Sequence, residues 1–142
     1  MEKDAYAAKM KAARKHGRTG ERKAIAWLKA QAPNIQIAVI NDLLDILAAA
    51  TWIEIKTCAA SILSADTRVY RAGRFTIEKA QHAALCEKDG YFLFVVLNDK
   101  RPPFIFLVLA RDLPYHRQIS WREAMKHEKS LNDCGIVAPN DA

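Results

Sequence analysis

The sequence predicts an α/β fold, a central mixed β-sheet flanked by helices. Three observations carry this. Ala- and Lys-rich segments with helical spacing occupy the first 32 residues. Short runs rich in Ile, Leu and Val follow, at lengths that suit strands. A further helical segment then precedes two more strand-like runs, so the order reads α-α-β-β-β-α-β-β.

Residues 4–15 are expected to form a helix, interrupted by Gly17 and Gly20. Residues 20–32 form a second, which ends before Pro33. Ile25, Leu28 and Ala32 share one face of it. Ile35–Ile40, Leu43–Leu47 and Trp52–Lys56 read as three strands. Residues 59–74 read as a polar connection, and residues 76–88 as a helix stopped by Gly90. Tyr91–Leu97 and Phe104–Leu109 are strand-like, joined by a loop containing Pro102 and Pro103. Residues 120–129 suit a last helix, and residues 133–142 a frayed tail. No repeat or linker divides the chain, so residues 1–142 read as one domain, with residues 1–16 as a basic helical arm.

A hydrophobic content of 51% against 27% charged residues marks a globular chain rather than a disordered one. The net charge of +6 favours a polyanionic partner. Its distribution says more than its size. Lys9, Lys11, Arg14, Lys15 and Arg18 crowd the N-terminal segment, and Arg68, Arg71 and Arg74 form a second basic run interleaved with Tyr70 and Phe75. Each run alone suits a solvated face equally well. Because both flank the motif below, they are assigned as nucleic-acid-binding residues. Cys58, Cys86 and Cys134 are scattered and form no CxxC or Cys/His cluster, which argues against zinc and suits a reducing cytoplasm. The charged N-terminus carries no apolar signal segment, and no run reaches membrane-spanning length.

The chemistry is concentrated in Asp45-Ile-Leu-Ala-Ala-Ala-Thr-Trp-Ile-Glu54-Ile-Lys56. Alternation along a strand puts Trp52, Glu54 and Lys56 on one face and Ile53, Ile55 and Thr57 on the other. A hairpin centred on Ala49-Ala50 sets Asp45 directly opposite Glu54, with Cβ atoms about 5 Å apart. A four-residue loop, Ala48 to Thr51, keeps the same pairing, and Ala-Ala is not a favoured two-residue turn. Two carboxylates so close repel unless a cation lies between them. Magnesium suits a few carboxylates, a carbonyl and several waters. Lys56 would then stand beside the bound water. The plainer reading is a surface hairpin with a Glu–Lys face. Asp42 is a rival to Asp45, but it points to the opposite strand face.

Glu21 aligns with Ile25 and Leu28, so a carboxylate faces the apolar side of its helix. A first-turn Glu that complements the helix dipole fits as well. Gln81, flanked by Ile77, Ala84 and Leu85, faces inward, either to orient a water or phosphate or as a satisfied core amide. His82 lies on the outer side of that helix and reads as a surface residue.

These residues resemble the PD-(D/E)XK nuclease superfamily, over roughly residues 17–110. Asp45-Ile46-Leu47 and Glu54-Ile55-Lys56 match its core signature, Gly20-Glu21 its upstream acidic position, and Gln81 a glutamine after the catalytic strand. Leu44 replaces the usual Pro, and the Asp–Glu spacing is short for the family. The look is nearest to archaeal-type Holliday-junction resolvases. The resemblance implies a restriction-endonuclease-like core and a catalytic set of Glu21, Asp45, Glu54, Lys56 and Gln81. It implies magnesium, replaceable by manganese, on Asp45, Glu54 and the Ile55 carbonyl. The expected function is a structure-selective endonuclease acting on DNA, including branched DNA, as a homodimer. The alternatives are a sequence-specific restriction or homing endonuclease, or a non-catalytic nucleic-acid-binding module on the same fold.

Overall fold

In the computed structural model the two expected N-terminal helices are one, α1 (Glu2–Gln31). The structure describes residues 2–39, 45–48, 51–64, 66–130 and 133–134, apart from the side chains of residues 2–16, Val39 and Asp45. Gly17 and Gly20 do not interrupt α1. A glycine inside a helix costs about 1 kcal/mol relative to alanine, a cost that tertiary packing outweighs. A Cβ built on Gly20 would lie 1.9 Å from Thr57 Oγ1. The helix is therefore close to the sheet because that residue has no side chain.

Three strands follow: β1 (Ile37–Val39), β2 (Asp45–Ala48) and β3 (Thr51–Ala59). Residues 59–74 are more ordered than the expected connection. They include two strands of a small hairpin, β4 (Ser61–Leu63) and β5 (Tyr70–Ala72), and the start of β6 (Arg74–Thr76). Polar composition hid these strands, which pair with each other and with a distant segment rather than with the main sheet. Then come α2 (Lys79–Glu87), β7 (Tyr91–Leu97) and β8 (Phe104–Leu109), the last two with the expected bounds. A 3-10 turn over Ala110–Asp112, β9 (Gln118–Ser120), α3 (Trp121–Met125) and β10 (Glu128–Lys129) complete the order. The expected last helix is thus shorter, and its end becomes an edge strand.

The main sheet has six strands in the order β1-β2-β3-β7-β8-β10. β3 and β7 run parallel, and the other neighbours are antiparallel. The sheet is mixed, as expected. A parallel pair requires a long crossover, here the hairpin, β6 and α2. β7 lies near the middle, and Phe92 through Val96 are all buried. Such an uninterrupted apolar run marks a strand covered on both faces. On one face Phe92, Phe94 and Val96 join Cys58, Leu85, Phe106 and Ala124. On the other, Leu93 and Val95 join Ile46, Ile53, Ile55 and the α1 residues Ala24 and Leu28. Helix α1 thus covers one side, and α2 and α3 the other. Cys134 is also buried on the α1 side. Residues 135–142 lie outside the described residues. No helix among the described residues is long and apolar enough to cross a membrane.

Candidate functional site

Strand register builds the site. β2 and β3 pair with Asp45 opposite Glu54 and Ala48 opposite Thr51. That is the register a turn at Ala49-Ala50 requires, although those two residues lie outside the described set, as does the rival Asp42. Directly opposed positions of an antiparallel pair share a sheet face. Asp45 and Glu54 therefore occupy neighbouring positions on one face.

Glu54 is buried, with 5% of its surface exposed. A charge so deep is costly to bury unless compensated. Lys56, two residues along β3 on the same face, brings its Nζ within 3.7 Å of Glu54 Oε1. The same ammonium donates a 3.1 Å hydrogen bond to Gln81 Oε1. Gln81 faces inward, as its spacing implies, and its amide oxygen goes to Lys56. The lysine is thus fixed between β3 and α2, with about a fifth of its side chain exposed. Glu54, Gln81, Trp52 and Lys88 line an open cleft of about 120 Å³. Lys88 Nζ sits 4.2 Å from the centre of the Trp52 ring, a cation–π contact at the cleft wall. Trp52 shares the face of Glu54, but the approach of Lys88 depends on how α2 ends, which spacing alone does not reveal.

Glu21 comes from the other side. It is half-buried and follows Gly20, where α1 meets Thr57 of β3. Glu54 and Lys56 face α2, which carries Gln81, whereas Glu21 belongs to the helix covering the opposite face. Among the described residues no group of three or more His, Cys, Asp or Glu side chains gathers as a metal cluster. The Asp45 side chain is not among them. The donors at the hairpin still fit a hard cation: a buried carboxylate, a second carboxylate-bearing residue at the opposed position, and the Ile55 carbonyl between Glu54 and Lys56. Magnesium needs only one or two protein carboxylates, with waters completing its shell.

His82 corrects the expectation of a surface residue. Its Nε2 lies 2.8 Å from the Leu113 carbonyl oxygen and 3.1 Å from that of Ala110. The ring stacks near Phe92 and tilts against Tyr115. Helical spacing missed this because the segment over Ala110–Tyr115 folds back across the outer side of α2. The histidine ties that segment down and is not in the cleft.

Of the basic residues, Arg18, Arg68, Arg71 and Arg74 are exposed. Lys9, Lys11, Arg14 and Lys15 lie on α1, with side chains outside the described set. Burial pushes the Cys58 thiol up to about 12 and also raises those of Cys86 and Cys134. Reactive thiolates are thereby disfavoured.

No curated protein and no solved structure matches the chain. The family model described as a PD-(D/E)XK nuclease superfamily domain matches residues 7–132. That span includes most of α1, the Asp45–Glu54 pairing, Lys56 and Gln81, and every strand of the main sheet. With the mixed sheet and this arrangement on β2 and β3, the chain belongs to the PD-(D/E)XK nuclease superfamily, a group of metal-dependent nucleases.

Proposed function

We propose that the protein is a magnesium-dependent endodeoxyribonuclease that hydrolyses phosphodiester bonds in branched DNA, such as a four-way junction, as a homodimer. The observation that carries the reading is the buried Glu54 beside a Lys56 clamped by Gln81, opposite the position of Asp45. A Glu–Lys pair that served only solubility would be exposed and loosely held, since surface ion pairs contribute little.

In this reading Asp45, Glu54 and the Ile55 carbonyl would hold the cation, while Glu21, on the helix that covers the opposite face of the sheet, stands apart from that set. A divalent ion there polarises a phosphoryl oxygen and makes water a better nucleophile at neutral pH. Lys56 orients the attacking water with its ammonium and offsets charge developing at phosphorus. Gln81 holds that ammonium in one position, which removes the entropy of a mobile lysine from the reacting step. Glu54, buried beside the ammonium, keeps the lysine at the cleft. The basic arm and Arg68, Arg71 and Arg74 contact phosphates on either side. Two cuts across a symmetric junction call for two equivalent sites, which a two-fold dimer supplies. Three free thiols, two of them buried, suit a reducing cytoplasm.

The test incubates the protein with duplex, flap, single-stranded and four-way-junction DNA, with and without magnesium. Cleavage that requires magnesium and prefers the junction is the expected result. Cleavage of one duplex sequence alone would favour a restriction-type enzyme instead. Absence of cleavage on every substrate would favour a non-catalytic module. Calorimetry with manganese gives a second readout. The wild type should bind the ion, and Asp45→Asn much less. Equal binding by both would bring Asp42 forward.

A further inference from the structure

Four large apolar side chains stand exposed among the described residues: Leu63, Val69, Tyr70 and Phe104. Scattered apolar residues on a surface need no explanation, but grouped ones do. Three of these belong to the small hairpin formed by β4 and β5. Leu63 and Tyr70 are directly opposed across it, so their side chains share a face. Tyr70 is 71% exposed and Val69, its neighbour, 63%. A tyrosine so open to solvent adds nothing to a core.

The hairpin is firmly held at its base. The Ala60 amide donates to the Leu97 carbonyl, and the Gly73 amide to that of Ala60. Trp121 closes the base from outside, its indole N–H donating to the Ala60 carbonyl at 2.8 Å and its backbone N–H to Gly73 at 3.1 Å. Gly73 packs so tightly that a Cβ there would lie 1.7 Å from the Ala59 oxygen. Phe104 tilts against Trp121 with ring centres 5.5 Å apart, which extends the apolar surface down to the base. At the far end the Ser64 amide donates to Val69 and the Arg68 amide to Ser64, with Arg68 at φ 53°. The backbone hydrogen bonds therefore fix the presentation of Val69 and Tyr70.

Charge and position name the partner. Arg68, Arg71 and Arg74 are exposed on and beside the hairpin, and Asp66 is the one acid between residues 61 and 74. An apolar tip ringed by arginines suits a polyanion with flat apolar faces. Nucleic acid with unpaired bases has that chemistry, since every base has a face on which an aromatic ring can stack. The hairpin also continues directly from β3. Seven residue steps separate Lys56 from Leu63, which opposes Tyr70, at most about 23 Å of extended chain, or about seven steps of stacked DNA.

We infer that the β4–β5 hairpin is a rigid probe that stacks Tyr70, with Leu63 beside it on the same face, on an unpaired base within about seven nucleotides of the bond to be cut. It rests on the nuclease reading of the cleft, and it adds the recognised feature: an unstacked base rather than a sequence. Arg68, beside the tip, holds a flanking phosphate, while the ring distinguishes open from fully paired DNA.

The test measures fluorescence anisotropy for the full-length protein in a chelator, so that no strand is cut. The probes are a blunt duplex, the same duplex with a single-stranded tail, and a bulged duplex. Tyr70→Ser should weaken binding to the tailed and bulged DNAs by about 5- to 150-fold, the range of one lost base–aromatic stack. It should leave blunt-duplex affinity and the salt slope unchanged. Tyr70→Phe should bind as the wild type does. A 2-aminopurine at the unpaired position should be quenched by the wild type and by Tyr70→Phe, but not by Tyr70→Ser. Wild-type binding that Tyr70→Ser leaves intact on all three DNAs overturns the hairpin proposal alone. A wild type that binds none of them removes the nucleic-acid reading and the hairpin proposal together. A dimer on sedimentation that Tyr70→Ser dissociates, with DNA binding unchanged, would assign the tip to a second copy of the chain instead.

Discussion

Gly20→Ala sets two calculable effects against each other. Alanine in place of a helix-interior glycine stabilises a helix by about 1 kcal/mol. If α1 were merely near the sheet, the variant would be more stable than the wild type. The new Cβ, however, would lie 1.9 Å from Thr57 Oγ1 and 2.8 Å from both Thr57 Cβ and Cγ2. Turning the threonine can relieve the closest γ contact, but its Cβ, 2.8 Å away, does not move. The helix or the strand must therefore shift, and overpacking of this kind costs about 1–3 kcal/mol. With the Thr57 Cβ fixed at 2.8 Å the upper end applies, leaving a net loss of about 2 kcal/mol. For a domain of this size that lowers Tm by roughly 6 °C. Calorimetric melts of the two proteins decide the matter. A Tm above wild type, by the few degrees that propensity alone supplies, would refute the close approach of α1 to β3. The double variant Gly20→Ala/Thr57→Ala provides the internal check. It removes two of the three colliding atoms, so the pair should couple favourably by about 1 kcal/mol.

Gln81→Ala should lower kcat about 10- to 100-fold with DNA affinity unchanged, because a hydrogen bond to a charged group is worth about 1.5–3 kcal/mol. A loss confined to binding would contradict the role of Gln81 as holder of Lys56. Burial raises the Cys58 thiol from 9.0 to about 12, above its unfolded value. The neutral thiol's contribution is therefore complete below about pH 9 and is lost as pH rises toward 12. Urea melts from pH 8 to 11 should show the wild type losing stability faster than Cys58→Val, and parallel curves would contradict this. Trp121→Phe removes the indole donor to Ala60 and should cost about 1 kcal/mol. It should also speed amide exchange at Gly73, and unchanged exchange there would show that the indole does not hold the hairpin base.

The parts of the fold legible in the sequence are those whose pattern is local. Tyr91–Leu97 and Phe104–Leu109 are uninterrupted apolar runs that become strands with those bounds. The pairing of Asp45 with Glu54 follows from alternation and a short turn. What escaped depends on distant partners. Gly20 looks like a helix breaker until Thr57 is placed against it. The hairpin over residues 61–72 looks like a polar loop because its support comes from Leu97 and Trp121, more than 20 residues away. His82 looks exposed until residues 110–115 fold across it. In the site, spacing placed Lys56 beside Glu54 and turned Gln81 inward. It did not reveal that these two side chains meet, because that contact depends on how α2 sits over β3. Nor did spacing reveal that α1, carrying Glu21, covers the opposite face of the sheet.

The central claim is that Glu54 and Lys56 carry out phosphodiester hydrolysis in the cleft beneath α2. Its most direct test is single-turnover cleavage of a four-way junction in magnesium by the wild type, Glu54→Gln and Lys56→Ala, each first shown by circular dichroism to be folded and by anisotropy to bind the junction. The wild type should cut, and both variants should lose at least about 100-fold in rate while binding within a few-fold of wild type. Folded variants that bind and still cut near the wild-type rate would place the chemistry elsewhere in the molecule.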